Sequence, residues 1–242
     1  MDTALLIIEY IGIVAFAVSG AMVAIDKEAD YFGVVLLSLI TCFAGGIMRD
    51  LLLGSVPPRF FTEFAPFILT CVISSVAVII FATLFKRVFV EYETRINAVN
   101  NIIDASALGL FSVSGVMISV EAGYSSPLIA ISMGLISSVG GGLLRDLMLG
   151  DIPFIIRKRI YAVASLFGAS ICYVLYVTLS LSYVVAAIAG ILLTFLLRLL
   201  ATIFKWNMPK AIDFKKLEAE MAREREKNGN TEGQQNGENS LL

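Results

Sequence analysis

The sequence predicts an all-α polytopic membrane protein with seven transmembrane helices, arranged as two inverted three-helix repeats plus a seventh helix. Three observations lead to this fold class. Apolar residues make up 58% of the 242 residues and charged residues only 16%, which is unlike a soluble domain of this length. Apolar runs of about 20 residues, the length that crosses a bilayer, can be counted seven times. A glycine-rich motif occurs twice.

The apolar runs define the expected spans in chain order. The first run is longer than the apolar core of a signal peptide and has no basic segment before it, so we expect it to be retained as a membrane helix. Prolines follow the second and fifth runs, where they end helices. The spans are expected near residues 4–25, 32–53, 64–85, 102–120, 128–147, 160–179 and 183–204.

A motif that recurs in register divides the chain into two related halves. Residues 44–57 read AGGIMRDLLLGSVP, and residues 140–153 read GGGLLRDLMLGDIP. The match extends upstream, where residues 16–20 read FAVSG and residues 111–115 read FSVSG. Each unit therefore contains three helices. Because three is an odd number, the second copy lies upside down in the membrane relative to the first.

The repeat and a change of composition near the end of the chain set the expected organisation. The final segment is polar and rich in Gly, Asn and Gln, which is typical of disorder. We expect a first three-helix repeat at 4–86, a cytoplasmic linker at 87–101, a second inverted repeat at 102–180, a seventh transmembrane helix at 183–205 and a cytoplasmic, largely disordered tail at 207–242.

Basic residues in the loops predict the orientation. Cytoplasmic loops carry an excess of Lys and Arg, and nine such residues fall on one predicted face against one, Arg59, on the other. This places the N-terminus outside and the C-terminus in the cytoplasm, in a plasma (inner) membrane. Arg198 lies inside the seventh span, close enough to its inner end that we expect its side chain to reach the interface. The nine residues are Lys27, Lys86, Arg87, Arg95, Arg157, Lys158, Arg159, Lys205 and Lys210.

The residue types present argue against several classes of function. The chain contains no His, which removes the commonest metal ligand and the usual proton shuttle. Its three Cys residues are isolated within apolar runs, without the spacing of a metal site or a disulfide framework. We expect no enzymatic activity, no cofactor, no nucleic-acid partner and no metal beyond a transient monovalent cation.

The glycines of the motif allow two interpretations. Gly45 and Gly46, and Gly140, Gly141 and Gly142, lie about 20 Å along their helices and so inside the membrane. As small residues they would let helices approach closely. Alternatively, the helix kinks at the glycines and leaves backbone carbonyls free to coordinate a cation. Their occurrence at equivalent places in both repeats favours the kink.

The charged residues of the motif lie about one turn beyond the glycines. Adjacent residues on a helix do not share a face, so each Arg need not pair with the Asp beside it. These residues either pin helix ends near the interface or face an aqueous path, because ionisable residues within a membrane are often functional. One motif is expected near the outer end and the other near the inner end. They are Arg49 and Asp50 in the second span, and Arg145 and Asp146 in the fifth.

Hydroxyl and carboxylate side chains extend the candidate pathway. Ser19-Gly20 and Ser114-Gly115 place a hydroxyl beside a small residue in mid-span. Each hydroxyl either bonds to its own helical turn or lines a narrow pore. Glu9 and Asp104 also match between the repeats and are candidate cation-attracting pore mouths. An ordinary carboxylate near a helix start is an equally good interpretation of Asp104.

These residues resemble the trimeric intracellular cation channel family, in particular its prokaryotic members, some of which carry a glycine-transporter domain name. The resemblance rests on the duplicated Ser-Gly, Gly-Gly and Arg-Asp motifs and covers about residues 5–204. It implies a homotrimer with one potassium-permeable pore per subunit and kinked second and fifth helices. Prokaryotic members tend to carry a glycine triplet on both helices, and Ala44 breaks the first triplet here. The Lys-Glu-Val motif of eukaryotic members is absent, so the resemblance implies neither phosphoinositide control nor a calcium-store role.

Two functions remain open at this level. A passive pore for monovalent cations is favoured, because the sequence has no nucleotide-binding loop or His relay to power transport. A secondary transporter of a small amino acid such as glycine would use the same inverted repeats for alternating access. A membrane scaffold without transport would leave the doubled Arg-Asp pairs unexplained. The expected partners are further copies of the chain, membrane lipids and monovalent cations.

Overall fold

The computed structural model describes residues 3–62, 64–157, 160–204, 206, 218 and 221. Every regular element in these ranges is helical. The ninth helix continues into a π-helical turn at Val174–Thr178. The helices are α1 (Thr3–Asp26), α2 (Tyr31–Leu52), α3 (Arg59–Thr62), α4 (Phe64–Leu84), α5 (Lys86–Glu91), α6 (Glu93–Glu121), α7 (Pro127–Met148), α8 (Phe154–Arg157), α9 (Ile160–Tyr173) and α10 (Tyr183–Ile203).

The seven predicted spans are confirmed: within the part of the chain that the structure describes, seven helices are long and apolar enough to cross a membrane. One boundary differs clearly from the expected one. The fourth span begins at Glu93 rather than near residue 102, and α5 precedes it, so most of the expected linker at 87–101 is helical. Hydropathy does not detect these turns because their residues are polar. The sixth span changes from α-helical to π-helical geometry after Tyr173.

The two repeats pack against each other through their equivalent helices. The first repeat consists of α1, α2 and α4, and the second of α6, α7 and α9. Helix α1 packs on α6 and α2 packs on α7, while α10 lies against α6 and α9. Helix α6 is therefore central, with 83% of its most apolar stretch buried, whereas α4 is peripheral, with 17% buried.

Helices α2 and α7 end in the same way. The last glycine of each motif follows the helix with a positive φ, 76° at Gly54 and 69° at Gly150. The N–H of the next residue donates to the carbonyl of the motif's Asp, at 2.8 Å on Asp50 and 3.0 Å on Asp146. This is a helix termination that glycine adopts without steric penalty. It holds each Arg-Asp pair in the last turn of its helix.

The chain divides into two units, Met1–Asn207 and Met208–Leu242. All ten helices belong to the first unit. In the second unit only Glu218 and Met221 are described, and both have helical backbone geometry. The expectation of a disordered tail therefore lies outside the described residues.

Candidate ion pathway

The motif glycines bring α2 and α7 into backbone contact. A Cβ atom on Gly141 would overlap the carbonyl oxygen of Thr41, and one on Gly45 would overlap the carbonyl oxygen of Ser137. A Cβ on Gly140 would lie 2.9 Å from the Cα of Gly45. The α-helical geometry continues through both glycine clusters. Close helix approach is therefore what the glycines provide in this structure, and the kink with freed carbonyl groups stays a prediction.

The second glycine of each pair has a different role, because it lies beside the Arg of its own motif. A Cβ on Gly46 would meet nothing nearer than the Arg49 guanidinium, at 3.7 Å. A Cβ on Gly142 would lie 3.7 Å from the Arg145 guanidinium and 3.5 Å from the hydroxyl of Tyr161. These glycines leave room for the two arginine side chains to fold back along their helices.

The Ser-Gly pairs lie on the same central surface. A Cβ on Gly20 would be 2.8 Å from the Thr41 hydroxyl of α2, and one on Gly115 would be 2.6 Å from the Ser137 hydroxyl of α7. Both glycines therefore allow a helix to approach its neighbour within the repeat.

The two serines beside these glycines are both buried but differ in their partners. The Ser19 hydroxyl donates to Asp104 at 3.3 Å. The hydroxyls of Ser114 and Ser137 are buried and have no hydrogen-bond partner within the described structure. The centre of the fold thus contains polar groups whose hydrogen-bonding capacity is not used.

Four charged side chains form a first charge cluster, consisting of Glu9, Arg49, Asp50 and Arg59. Arg49 Nε donates to Asp50 at 2.8 Å, and its terminal nitrogen lies 2.7 Å from the same carboxylate. The second carboxylate oxygen of Asp50 accepts from the backbone N–H of Arg59 at 2.9 Å. The Arg59 guanidinium in turn pairs with Glu9 at 3.2 Å. A cavity of about 40 Å³ lies beside this cluster and is also lined by Phe67.

A second charge cluster consists of Asp104, Arg145, Asp146 and Arg198. Arg145 Nε donates to Asp146 at 2.9 Å. Asp104 lies between two guanidinium groups, 4.0 Å from Arg145 and 3.7 Å from Arg198. The Arg198 guanidinium also lies over the ring of Tyr161, 4.6 Å from its centroid, an arrangement in which the ring face attracts the cation.

The two clusters lie at opposite ends of the helical bundle. Glu9 is near the start of α1 and Asp50 is at the end of α2, whereas Arg145 and Arg198 are at the ends of α7 and α10. Following the chain back and forth through its seven spans places the first pair at one end and the second pair at the other. The prediction of one motif at each end agrees with this geometry.

Two details differ from the sequence analysis. Each Arg does pair with the Asp beside it. The Arg side chain is long enough to fold back over the space left by the glycine three residues before it, at Gly46 and Gly142. Arg198 does not reach the interface: it is 3% exposed and faces α6. Glu9 and Asp104, the predicted pore-mouth carboxylates, are buried within the clusters, 6% and 7% exposed.

Three residues of the clusters, Arg59, Tyr161 and Arg198, are not among the predicted site residues. Arg59 had been counted only as a loop charge, although it closes the first cluster. Tyr161 had no assigned role, although it lies beneath Arg198. A signal for Arg198 itself was present in the sequence, because Gly190, Thr194 and Arg198 recur every four residues on what is the buried face of α10.

Known proteins are similar to this chain in both sequence and fold. The family model described as glycine transporter matches residues 6–83 and 101–177, which are the two repeats. The UPF0126 inner membrane protein YadS of Escherichia coli strain K12 is 31% identical over 204 residues, covering 83% of this chain and 92% of the relative. A solved TRIC cation channel is 34% identical, with a TM-score of 0.73 over 86% of this chain and 97% of that chain. The TRIC trimeric intracellular cation channel orthologue from Rhodobacter sphaeroides is 33% identical, with a TM-score of 0.75 over 85% and 100% of the two chains.

Proposed function

We propose, from the premise that this chain belongs to the trimeric intracellular cation channel family, that it conducts monovalent cations, potassium among them. The proposed assembly is a homotrimer in which each subunit contains its own pore. The related Rhodobacter sphaeroides protein is described as trimeric and as a cation channel. The solved relatives are channels rather than enzymes, in keeping with a transport role here.

The observation that carries this proposal is the arrangement of two buried charge clusters at opposite ends of a polar, glycine-lined crossing between the repeats. A cation crossing a bilayer must exchange its water shell for oxygen ligands. The unpartnered hydroxyls of Ser114 and Ser137 supply polar atoms at mid-depth, beside the close contact of α2 and α7. The proposed path runs from one cluster to the other along this crossing.

The described conformation corresponds to a closed pathway in this proposal. The clusters are nearly excluded from solvent, with Asp50 1% and Arg49 3% exposed. Each contains two carboxylates and two guanidinium groups, so its formal charge is zero. Conduction then requires the ion pairs at both ends to separate, which makes the clusters the barriers to permeation. The pathway residues proposed are Ser19, Gly20, Gly45, Gly46, Arg49, Asp50, Ser114, Gly115, Gly140, Gly141, Gly142, Arg145 and Asp146, with Glu9 and Asp104 nearest the ends.

The orientation follows from loop charge. The chain is a multi-pass membrane protein whose relatives include an inner membrane protein. We place the N-terminus outside and the C-terminus in the cytoplasm, because the Lys and Arg residues concentrate in the loops at one end. The first charge cluster then faces outward and the second faces the cytoplasm.

Planar-bilayer recording of the purified protein in a potassium chloride gradient tests the proposal. We expect unitary currents that reverse towards the potassium equilibrium potential. Asp50→Asn and Asp146→Asn should alter conductance or selectivity more than Cys71→Ser, because Cys71 packs between α2 and α4 at a site with no charge. Reversal at zero, an absence of unitary currents, or equal behaviour of the three variants would contradict the proposal.

A secondary transporter of glycine is the second candidate, because the matching family model carries that description and inverted repeats also support alternating access. It predicts saturable glycine uptake into proteoliposomes that is accelerated by glycine on the opposite side. Counterflow of this kind without channel currents would favour the transporter. Potassium currents without glycine counterflow would favour the channel.

A further inference from the structure

The two charge clusters have the same composition but obtain their second guanidinium from different places. In the first cluster it comes from Arg59, in the segment that follows α2. A shift of 96 residues, from 59 to 155, places Ile155 at the corresponding position of the second repeat. Ile155 packs with Leu108, Val139 and Tyr161 in an apolar cluster. At this position the second repeat therefore carries an apolar side chain instead of a guanidinium.

In the second cluster, the second guanidinium comes from Arg198, which lies outside the repeat. It belongs to α10, which packs against both α6 and α9. These two helices carry Asp104 and Tyr161, the partners of the Arg198 guanidinium at 3.7 Å and 4.6 Å. A shift of 94 residues relates Phe67 to Tyr161, so the second repeat carries a hydroxylated ring where the first carries an apolar one. Arg198 is thus held by a salt bridge and a ring face.

We propose that Arg198 is the barrier cation at the second end of the pathway, supplied by the seventh helix to do what Arg59 does at the first end. This inference rests on the proposed cation channel. Asp104 would attract a permeating cation if it stood alone. With Arg145, Arg198 and the Ser19 hydroxyl around it, its charge is already compensated. A cation gains access at this end only when the Arg198 guanidinium moves aside.

The charge balance gives each end a distinct electrical signature. Replacing Arg198 by Gln changes the second cluster from formally neutral to a charge of −1, and Arg59→Gln makes the same change in the first cluster. Negative charge at one end of a narrow path raises the local cation concentration at that end. The two variants should therefore rectify in opposite directions. A residue that only stabilised the fold would not produce a sign that depends on its end of the membrane.

Patch-clamp recording from giant bacterial spheroplasts, in which the membrane orientation is known, can read this sign. In symmetrical potassium chloride, R198Q is expected to increase potassium current from the side of the second cluster by roughly threefold relative to the opposite direction. R59Q is expected to favour the opposite direction to a similar extent. R198K keeps the charge and should rectify as the unsubstituted protein does.

The D104N substitution provides a second, independent measurement. It leaves the second cluster with one excess positive charge, so current from that side should fall. The double variant R198Q/D104N is neutral again and should lose the rectification of R198Q. If R198Q does not reach the membrane, D104N decides the question by the same readout.

The possible outcomes separate the two proposals. Conducting R198Q or D104N channels with unchanged rectification would overturn the assignment of Arg198. R198Q and R59Q rectifying in the same direction would also overturn it. An unsubstituted protein that carries no current in this assay would instead contradict the proposed channel function.

Discussion

The two charge clusters differ in how firmly their charges are enclosed. The Arg59 side chain of the first cluster is 21% exposed, whereas the Arg198 side chain of the second is 3% exposed. The first cluster lies beside a cavity and against Phe67, while the second includes the ring of Tyr161. Duplication has therefore preserved the number of charges at each end but not their source. What is equivalent between the repeats is the electrostatic balance rather than every residue.

A contact between two helices of each repeat also uses different chemical groups in the two repeats. The thiols of Cys42 and Cys71 lie 3.5 Å apart between α2 and α4. Shifts of 96 and 94 residues lead to Ser138 and Ser165, whose hydroxyls are hydrogen-bonded between α7 and α9. Thiols tolerate an apolar setting without strong hydrogen bonds, whereas hydroxyls require partners. The helix contact is conserved between the repeats although its chemistry differs.

The two repeats should respond equally to substitutions where α2 contacts α7. The largest loss of stability is expected there. Gly45→Ala and Gly141→Ala each insert a Cβ against a backbone carbonyl that cannot rotate away. Such overpacking should lower the free energy of unfolding by about 3 kcal/mol and reduce the yield of monodisperse protein. Thermal unfolding in detergent, followed by size-exclusion chromatography, measures this.

Gly142→Ala is the matched control for that experiment, because a Cβ there would meet nothing closer than 3.5 Å. It should leave the unfolding midpoint unchanged or raise it, since Ala is the better helix former. A loss in Gly142→Ala as large as that in Gly141→Ala would contradict the close crossing. A loss of stability in only one of Gly45→Ala and Gly141→Ala would show that the contact of α2 and α7 is not symmetric between the repeats.

The carboxylates provide the next largest effect and sharpen the difference between the ends. Asp104→Asn leaves two buried guanidinium groups without this counter-charge, but those contacts are 4.0 and 3.7 Å long and Asp146 stays beside Arg145. We therefore expect the free energy of unfolding to fall by about 2 kcal/mol, less than at the glycines. Glu9→Gln should cost less, because Arg59 is partly open to solvent. The same thermal assay compares the two variants. A greater loss of stability for Glu9→Gln would contradict the inference that the second cluster is the more deeply buried one.

The smallest effect is expected at the salt bridge between Lys27 and Asp151. It joins the loop after α1 to the loop after α7 at 2.7 Å, with side chains 41% and 37% exposed. Pairs of this kind contribute less than about 1 kcal/mol. Asp151→Asn should shift the unfolding midpoint only slightly, and less at high salt. A shift comparable to that of Asp104→Asn would show that this bridge between the repeats is a main structural tie.

The spans, the repeat and the separation of the two motifs could be predicted because they depend on patterns along the chain. Apolar length reports the spans, and an odd number of helices per unit fixes the inversion. The polar start of α6 could not be predicted in the same way, since helix formation outside the bilayer leaves no hydropathy signal.

The composition of the clusters was less predictable because it depends on rotation about helix axes and on contacts between distant segments. Arg198 was assigned to the interface from its depth alone, but the face of α10 on which it lies decides its environment. Arg59 is separated from Glu9 by 50 residues, and nothing local marks them as partners. For the glycines, sequence alone left two interpretations: the structure shows close helix approach at both clusters, and the kink stays a prediction.

The position of α10 has a consequence for how the surroundings reach the pathway. On the side of the first repeat, α4 carries Phe67 towards the cavity and turns Leu69 and Ile73 outward, each 59% exposed. On the other side, α10 covers α9. A lipid or neighbouring subunit that contacts α4 is therefore one helix away from the first cluster, whereas one that contacts α10 meets the helix that itself carries Arg198 of the second cluster. We therefore expect the seventh helix to link its outer surface directly to the second cluster.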